Sequence, residues 1–577
     1  MKKKLVSMMV AGVLALVLAA PGYAARTYTP AWLEREAALE GAQNAGTPLT
    51  AVNKGGKWGY VDWRGRMVVA AEYEYALEYS EGLAAVGKDG RSGYIDGSGK
   101  VAIALEYEEA GSFSEGLAAV GRGGKYGFID RSGTMVVPAR YEYVYGFSGG
   151  YAMVSDGKKW GYIDRTGKTV AAVEYDGGYG FTADGLALVH KDGKWGYIDG
   201  SGREAVALEY ERGLSYAEGV AAVKKDGKWG VIDRTGAVVA PMEYETVGPY
   251  RDGLARVCRD GKWGYIGKDG REAVPARYEA AGNFSEGLAA VKENGKWGYI
   301  DGTGATVVAA KYASAGSFSE GLAAVKSGGK YGYIDRTGKE AVAPAYGHGA
   351  DFREGLAAVE KDGKWGFIDK GGKEVVPLEY DLVTEFRGDT AVVRRNGQYG
   401  MLNKTVGGFG DVLASSPYAE AIDWSVGEKI TKGTSPGVFS PDRKCTTAEI
   451  ITFLWRAKGE PEAGGGAGQY ADVKEGAYYY KAAAWAKEQG LAAGERLDPD
   501  GPCTRGTAMT YLWKLAGSPA AQGSGFTDVA ADAAYAQAVA WAVGRGVTNG
   551  MTANTFGPEN ICTRGQIMTF LYRDLKK

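Results

Sequence analysis

The residues that could carry acid–base chemistry recur too evenly along this chain to make one active site. Glu81, Glu115, Glu218, Glu286, Glu320 and Glu354 each precede a glycine, and Asp164, Asp199 and Asp335 each follow an isoleucine. Catalysis needs unlike groups in one constellation, with environments that split their pKa values. The same acid returning at the same turn reads instead as a turn residue bonding its own backbone. The two histidines, His190 and His348, fall in different repeats and read as solvated loop or strand residues. No zinc-type histidine pair or phosphate loop occurs. The expectation is a non-enzymatic chain with no catalytic residue, metal or cofactor. Of the four cysteines, Cys445, Cys503 and Cys562 lie 58 and 59 residues apart, once per module of a second repeat. That spacing suits small buried side chains better than a disulfide framework, which would be denser in cysteine.

The elements that hold these residues follow from a Trp/Tyr-Gly pair. It stands at Trp58-Gly59, Tyr126-Gly127, Trp160-Gly161, Trp195-Gly196, Trp229-Gly230, Trp263-Gly264, Trp297-Gly298, Tyr331-Gly332, Trp365-Gly366 and Tyr399-Gly400, with Ser92-Gly93 in the remaining slot. The period is 34 residues with a single slip, which gives eleven units over 51–405. Within a unit, Lys191-Asp192-Gly193-Lys194 places Asp-Gly between apolar runs, a strong hairpin signal. Asp164-Arg165-Thr166-Gly167 suits a type I turn. Trp195 and Tyr197 share one face of a strand and Ile198 takes the other. Val238-Val239 starts a further strand, and Pro275 or Pro377 stops one. The reading is an all-β array of about three strands per unit. Two architectures fit, an open solenoid or superhelix and a closed propeller, and eleven is an awkward count for one ring. The aromatic ladder is either the stacked core of the array or a row of exposed platforms for sugar rings.

The chain opens with Met1 and three lysines, then an apolar run from Leu5 to Ala20, with Gly22 and Ala24 behind it. This is the pattern of a secretory signal over residues 1–24. The run is short for a membrane span and is followed by Pro21-Gly22, so no membrane insertion is expected after its removal. Residues 25–50 read as a linker or array cap, with a short helical look from Trp32 to Leu39. A net charge of −2 argues against nucleic acid as the main partner. The 92 glycines are what a turn-rich repeat would consume.

Past Asn403 the composition changes to alanine-rich segments in three similar blocks, 408–460, 468–518 and 525–577. Each opens with an aromatic residue, then Asp411-Val412, Asp472-Val473 or Asp528-Val529, and a tryptophan follows thirteen residues after each aspartate: Trp424, Trp485 and Trp541. Ala419, Ile422 and Val426, like Ala536, Val539 and Val543, stand at helical spacing. A second helix starts at Cys562-Thr563-Arg564-Gly565-Gln566, with Thr563 as N-cap.

The array resembles the WG-repeat family of bacterial surface and secreted proteins, which implies no common catalytic activity. The three blocks resemble S-layer homology modules, on the strength of the aromatic-x-Asp-Val opening, the mid-helix tryptophan, the Phe-x-Pro loop and the Thr-Arg helix start. That resemblance implies a mainly α-helical three-module spindle, with the second helices and the three cysteines near a pseudo-threefold axis. It also implies binding of secondary cell-wall polysaccharide, often pyruvylated, in grooves between the modules. A guanidinium matches a pyruvate carboxylate bidentately, and a helix N-terminus favours the same anion. Arg505 and Arg564 are therefore the expected binding residues, each beside a glycine, Gly506 or Gly565, that would let ligand approach. Asp411, Asp472 and Asp528 read equally as caps of the first helix or as sugar contacts, and Trp485 and Trp541 as core or groove wall. The first block departs from the pattern, with Thr447 in the arginine slot and Arg443 and Lys444 nearby. The whole predicts a secreted protein held on the cell wall or S-layer, displaying the array for binding or spacing to an unknown glycan or protein. The alternative is a surface lattice built by array self-association.

Overall fold

A computed structural model describes residues 26–32, 39–42, 49–464 and 469–576; the expected signal segment, 1–24, lies outside the described residues. The chain forms two compact units, one of Ala31–Met401 and one that contains Leu402–Lys577.

The first unit is all β. Its ninth blade serves as the type: strands Ser314–Ala315, Leu322–Ser327, Lys330–Asp335 and Glu340–Tyr346 pair antiparallel in that order. The first ten blades thus have four strands each rather than the three expected, and the last sheet has five. In most blades the additional strand is two residues long, too short to carry an alternating pattern, and one residue separates it from the preceding blade; in the seventh it runs over Thr246–Arg251. The middle hairpin turns on residues such as Asp192 (φ 50°) and Gly193 (φ 76°). Both lie in the left-handed region that a type I′ turn requires.

The glycine of the aromatic-Gly pair is set by close approach. A Cβ on Gly298 would lie 2.4 Å from the Val308 carbonyl oxygen and 2.7 Å from the Ala310 nitrogen. The fourth strand crosses there with its register shifted on both sides of Tyr299, so only a residue without a side chain fits. Next to this glycine, the buried Tyr299 donates its hydroxyl to the Gly316 carbonyl of the next blade (2.8 Å) and meets the Phe318 ring at 4.9 Å. Burial pushes its phenol pKa well up. The half-buried Trp297 packs beside this core, so the ladder expectation divides. The tyrosine two residues after the tryptophan is the core, and the tryptophan is its partly open flank.

The array closes. Val52 and Val61 of the first blade pack with Val392 and Met401 of the last, in the same positions through which other neighbouring blades meet, as Val86 and Ile95 do with Ala51 and Tyr60. The last sheet takes Arg26–Trp32 into its order. The result is an eleven-blade propeller-like ring and not the open solenoid that the odd count favoured. The described parts of the cap segment, Arg26–Trp32 and Leu39–Ala42, are strands; the stretch between Trp32 and Leu39, where a helical look was expected, lies outside the described residues.

The second unit contains six helices among the described residues: α1 (Ala419–Gly427), α2 (Thr447–Ala457), α3 (Tyr480–Glu488), α4 (Arg505–Leu515), α5 (Ala536–Gly544) and α6 (Arg564–Leu575). Thr446, Thr504 and Thr563 cap α2, α4 and α6 through their side chains. Just before these caps, Cys445 N–H donates to the Cys562 carbonyl, Cys562 to Cys503 and Cys503 to Cys445, each at 2.9 Å. This closed triangle of backbone bonds ties the three blocks around one axis. The thiols are fully buried and unbridged, and burial raises their pKa, that of Cys562 to about 12.

Candidate ligand groove of the helical unit

Each opening aspartate clamps the loop of its own block. Asp411 accepts the N–H groups of Phe439 and Ser440 (both 2.7 Å), Asp472 those of Leu497 and Asp498 (2.8 and 2.9 Å), and Asp528 those of Phe556 and Gly557 (2.8 and 2.7 Å). These bonds hold the Asp472 and Asp528 carboxyls below the usual range. The aspartates therefore do not cap the first helices, which start at Tyr418, Tyr479 and Tyr535 without a side-chain cap. In all three, both carboxylate oxygens are engaged by backbone N–H groups.

The two motif arginines reach from one block into the clamped loop of another. Arg505 Nε donates to the Phe556 carbonyl (3.0 Å) and Nη2 to the Asn549 carbonyl (2.9 Å), with the guanidinium 4.5 Å from the Phe556 ring centre. Arg564 Nε donates to the Phe439 carbonyl (3.0 Å) and Nη1 to Glu449 (2.5 Å), 4.7 Å from the Phe439 ring centre. Thr447, in the third such position, uses its backbone and hydroxyl on the Gly501 carbonyl. Gly506 and Gly565 serve packing and not ligand approach, because tyrosine rings fill the space. A Cβ on Gly565 would lie 2.5 Å from the Tyr418 ring, and one on Gly506 3.0 Å from that of Tyr535. Trp485 is core at 4 % exposure, and Trp541 packs partly buried against it.

The arginines differ in what remains free. Arg564 is 2 % exposed, yet its Nη2 has no hydrogen-bond partner. It lines a cavity of about 470 Å³ together with Lys432, Arg443, Arg456, Glu449, Tyr478 and Asp500, among others. Arg443 also pairs with Glu449. Four cations therefore face two carboxylates there. Burial lowers the Arg564 pKa and Glu449 raises it again; a guanidinium so placed stays charged. Of these residues the sequence pointed to Arg443 alone as a neighbour. Glu449 was legible as the acid of a capping box, Thr446-x-x-Glu449, whereas Lys432, Arg456 and Tyr478 come from loops and faces that no spacing connects.

The WG-containing repeat matches ten segments, 58–91 and then 93–399 without a gap. The chain belongs to that repeat family. The S-layer homology domain matches 408–451 and 525–568, which makes the WG-repeat chain a surface protein with an anchoring region. No curated protein matches it in sequence. Among solved structures, a eukaryotic initiation factor is 12 % identical over 51 % of this chain and 92 % of its own, with a TM-score of 0.31. PorZ, a surface component of the type-IX secretion system of Porphyromonas gingivalis, is 12 % identical over 59 % and 57 %, with a TM-score of 0.20. The extracellular domain of a putative hybrid two-component system from B. thetaiotaomicron is 9 % identical over 60 % of each chain, at 0.19. Among the described residues no helix is long and apolar enough to cross a membrane, and no cluster of His, Cys, Asp and Glu could hold a metal.

Proposed function

We propose that the helical unit fixes this secreted protein to the cell wall by binding secondary cell-wall polysaccharide in the Arg564 groove, and that the ring is displayed as a non-enzymatic binding or spacing module. The observation that carries this reading is the cationic cavity of about 470 Å³ that Arg564 lines with Lys432, Arg443 and Arg456. A carboxylate such as a pyruvate ketal would meet charge-assisted donors there. The middle block, 468–518, acts as a third module on this reading, since it shares the aspartate clamp, the threonine cap and the cysteine of the axis. Arg505, committed to loop carbonyls, holds blocks together instead. The surface-lattice reading drew on exposed sheet edges at the ends of an open array, and closure of the ring takes those ends away.

The test is co-sedimentation of the full chain with purified walls, before and after stripping the secondary polysaccharide and before and after removing its ketals. Binding that needs the polymer, the ketal and Arg564 supports the reading. Equal binding to stripped walls, or full binding by a folded Arg564→Ala variant, sinks it.

A further inference from the structure

The blades are near-copies, so a side chain that departs from the common pattern is not one the fold demands. The clearest departure is in the fourth and fifth blades. The residue just after the short first strand is Gly111, Gly282, Gly316, Ala350 or Thr384 in five blades and Leu77 or Leu214 in two, and Gly248 holds the same place inside the longer first strand of the seventh. In the fourth and fifth it is Tyr145 and Tyr179, 61 % and 56 % exposed, and Tyr143 beside them is 58 % exposed. Folding gains little from leaving three large rings in water.

Their arrangement is ordered. The Tyr145 ring lies 5.2 Å from Trp160 at 32°, and that of Tyr143 6.5 Å from it at 31°. One blade on, Tyr179 lies 6.1 Å from Trp195 at 29°, and His190 4.6 Å from the same indole at 26°. Two neighbouring blades thus each present exposed tyrosine rings inclined by 29–32° to their own tryptophan. The charges around them are matched, Lys125 with Glu142 and Lys159 with Asp176, so nothing there selects a polyanion. The exposed rings are phenols and not aliphatic side chains, which suits a ligand with apolar faces and hydroxyl rims. The three tyrosines offer on the order of 400 Å², about half of the ~800 Å² per partner that a stable protein interface uses.

We propose that the fourth and fifth blades form a glycan-binding shelf on which neutral sugar rings stack by their C–H faces, with sugar hydroxyls meeting the phenols and the flanking charged pairs. The inference rests on the reading of the ring as the displayed part of the molecule and uses no residue of the Arg564 groove. A shelf two blades wide fits a linear oligosaccharide rather than a single sugar.

The experiment titrates the full chain with neutral linear hexasaccharides of glucose, N-acetylglucosamine, mannose and xylose, read by tryptophan fluorescence and calorimetry. At least one should bind, with affinity falling tenfold or more in Tyr145→Ala/Tyr179→Ala. Alanine already occupies this slot at Ala350, so that variant folds. The matching double phenylalanine variant should stay within threefold, because the rings remain. Binding by none of the four sugars, or undiminished binding in the double alanine variant, overturns the proposal. Arg564→Ala should leave the titration unchanged. Loss of wall sedimentation with hexasaccharide binding intact would therefore fall on the anchor reading alone.

Discussion

The ring and the helical unit both build a fold by repetition, but they spend their repeats differently. In the ring a blade copies its neighbour down to single hydrogen bonds. The tyrosine hydroxyl bond to the next blade recurs from Tyr60 to Leu77, Tyr94 to Gly111, Tyr197 to Leu214 and Tyr265 to Gly282. In the helical unit three blocks meet on one axis and the equivalent residues are Thr447, Arg505 and Arg564. A contact made in every copy is a contact that assembly requires. One that differs among copies is free to serve a ligand, as proposed for the Arg564 groove and the tyrosine shelf.

The largest contrast should come from two glycines that each exclude a side chain for a different reason. Gly298→Val would drive a Cβ within 2.4 Å of backbone that a neighbouring strand holds in place. The expected loss is ~4 kcal/mol, in the range reserved for core disruption, seen as a lower urea midpoint of the ring. Gly565→Ala meets a tyrosine ring at 2.5 Å. A ring can tilt, so ~1–2 kcal/mol is expected. Equal effects would mean that the strand crossing in the blade is softer than it looks.

Arg564→Ala should cost ~3 kcal/mol through the lost buried pair, with Arg443 still covering Glu449. Arg505→Ala should cost a comparable amount, since it strips two loop carbonyls of their donors. The two should separate in wall sedimentation, which Arg564→Ala abolishes and Arg505→Ala, once folded, retains. If both variants fail alike at matched stability, the difference between the arginines is structural decoration.

Smaller still is Tyr299→Phe in the ring. Phe128 and Phe367 occupy the same slot in other blades, so packing survives and only the bond to Gly316 goes. About 1 kcal/mol is expected by chemical denaturation; a loss several times larger would show that a single inter-blade bond controls the closure of the ring.

How much of this was legible in the sequence follows from the range of each interaction. The 34-residue period, the Asp-Gly hairpins and the turn aspartates are local. Asp164 does accept the N–H groups of Thr166 and Lys168 from its own turn. The glutamates looked alike and are not. Glu81, Glu115, Glu286 and Glu320 accept N–H groups of glycines in the next blade, at 2.7–3.2 Å. No spacing within a unit carries that information, because the partner lies a whole period away. Closure was illegible for the same reason, since an interface between blades reads identically whether the last copy meets the first or meets solvent. In the helical unit, helix starts and the cysteine repeat were readable. The groove was not, because Lys432, Tyr478 and Arg564 converge from three blocks.

The smallest predicted effect sharpens the comparison most. Thr447→Arg would restore the third arginine, beside a loop that Asp472 already clamps at Leu497 and Asp498. In the other two positions the arginine Nε takes the carbonyl of the clamped residue, Phe556 or Phe439, and lies against its ring. Leu497 supplies the carbonyl but no ring, so the gain is limited to a charge-assisted bond less the cost of burying the guanidinium, within ~1 kcal/mol of zero. Thermal denaturation should move by no more than a few degrees, and wall binding should stay at one site, because Lys432, Arg443 and Arg456 line the groove of Arg564. A second binding site in the Thr447→Arg variant would show that the arginine alone makes a groove competent, and the surrounding Lys432, Arg443 and Arg456 would lose the role assigned to them.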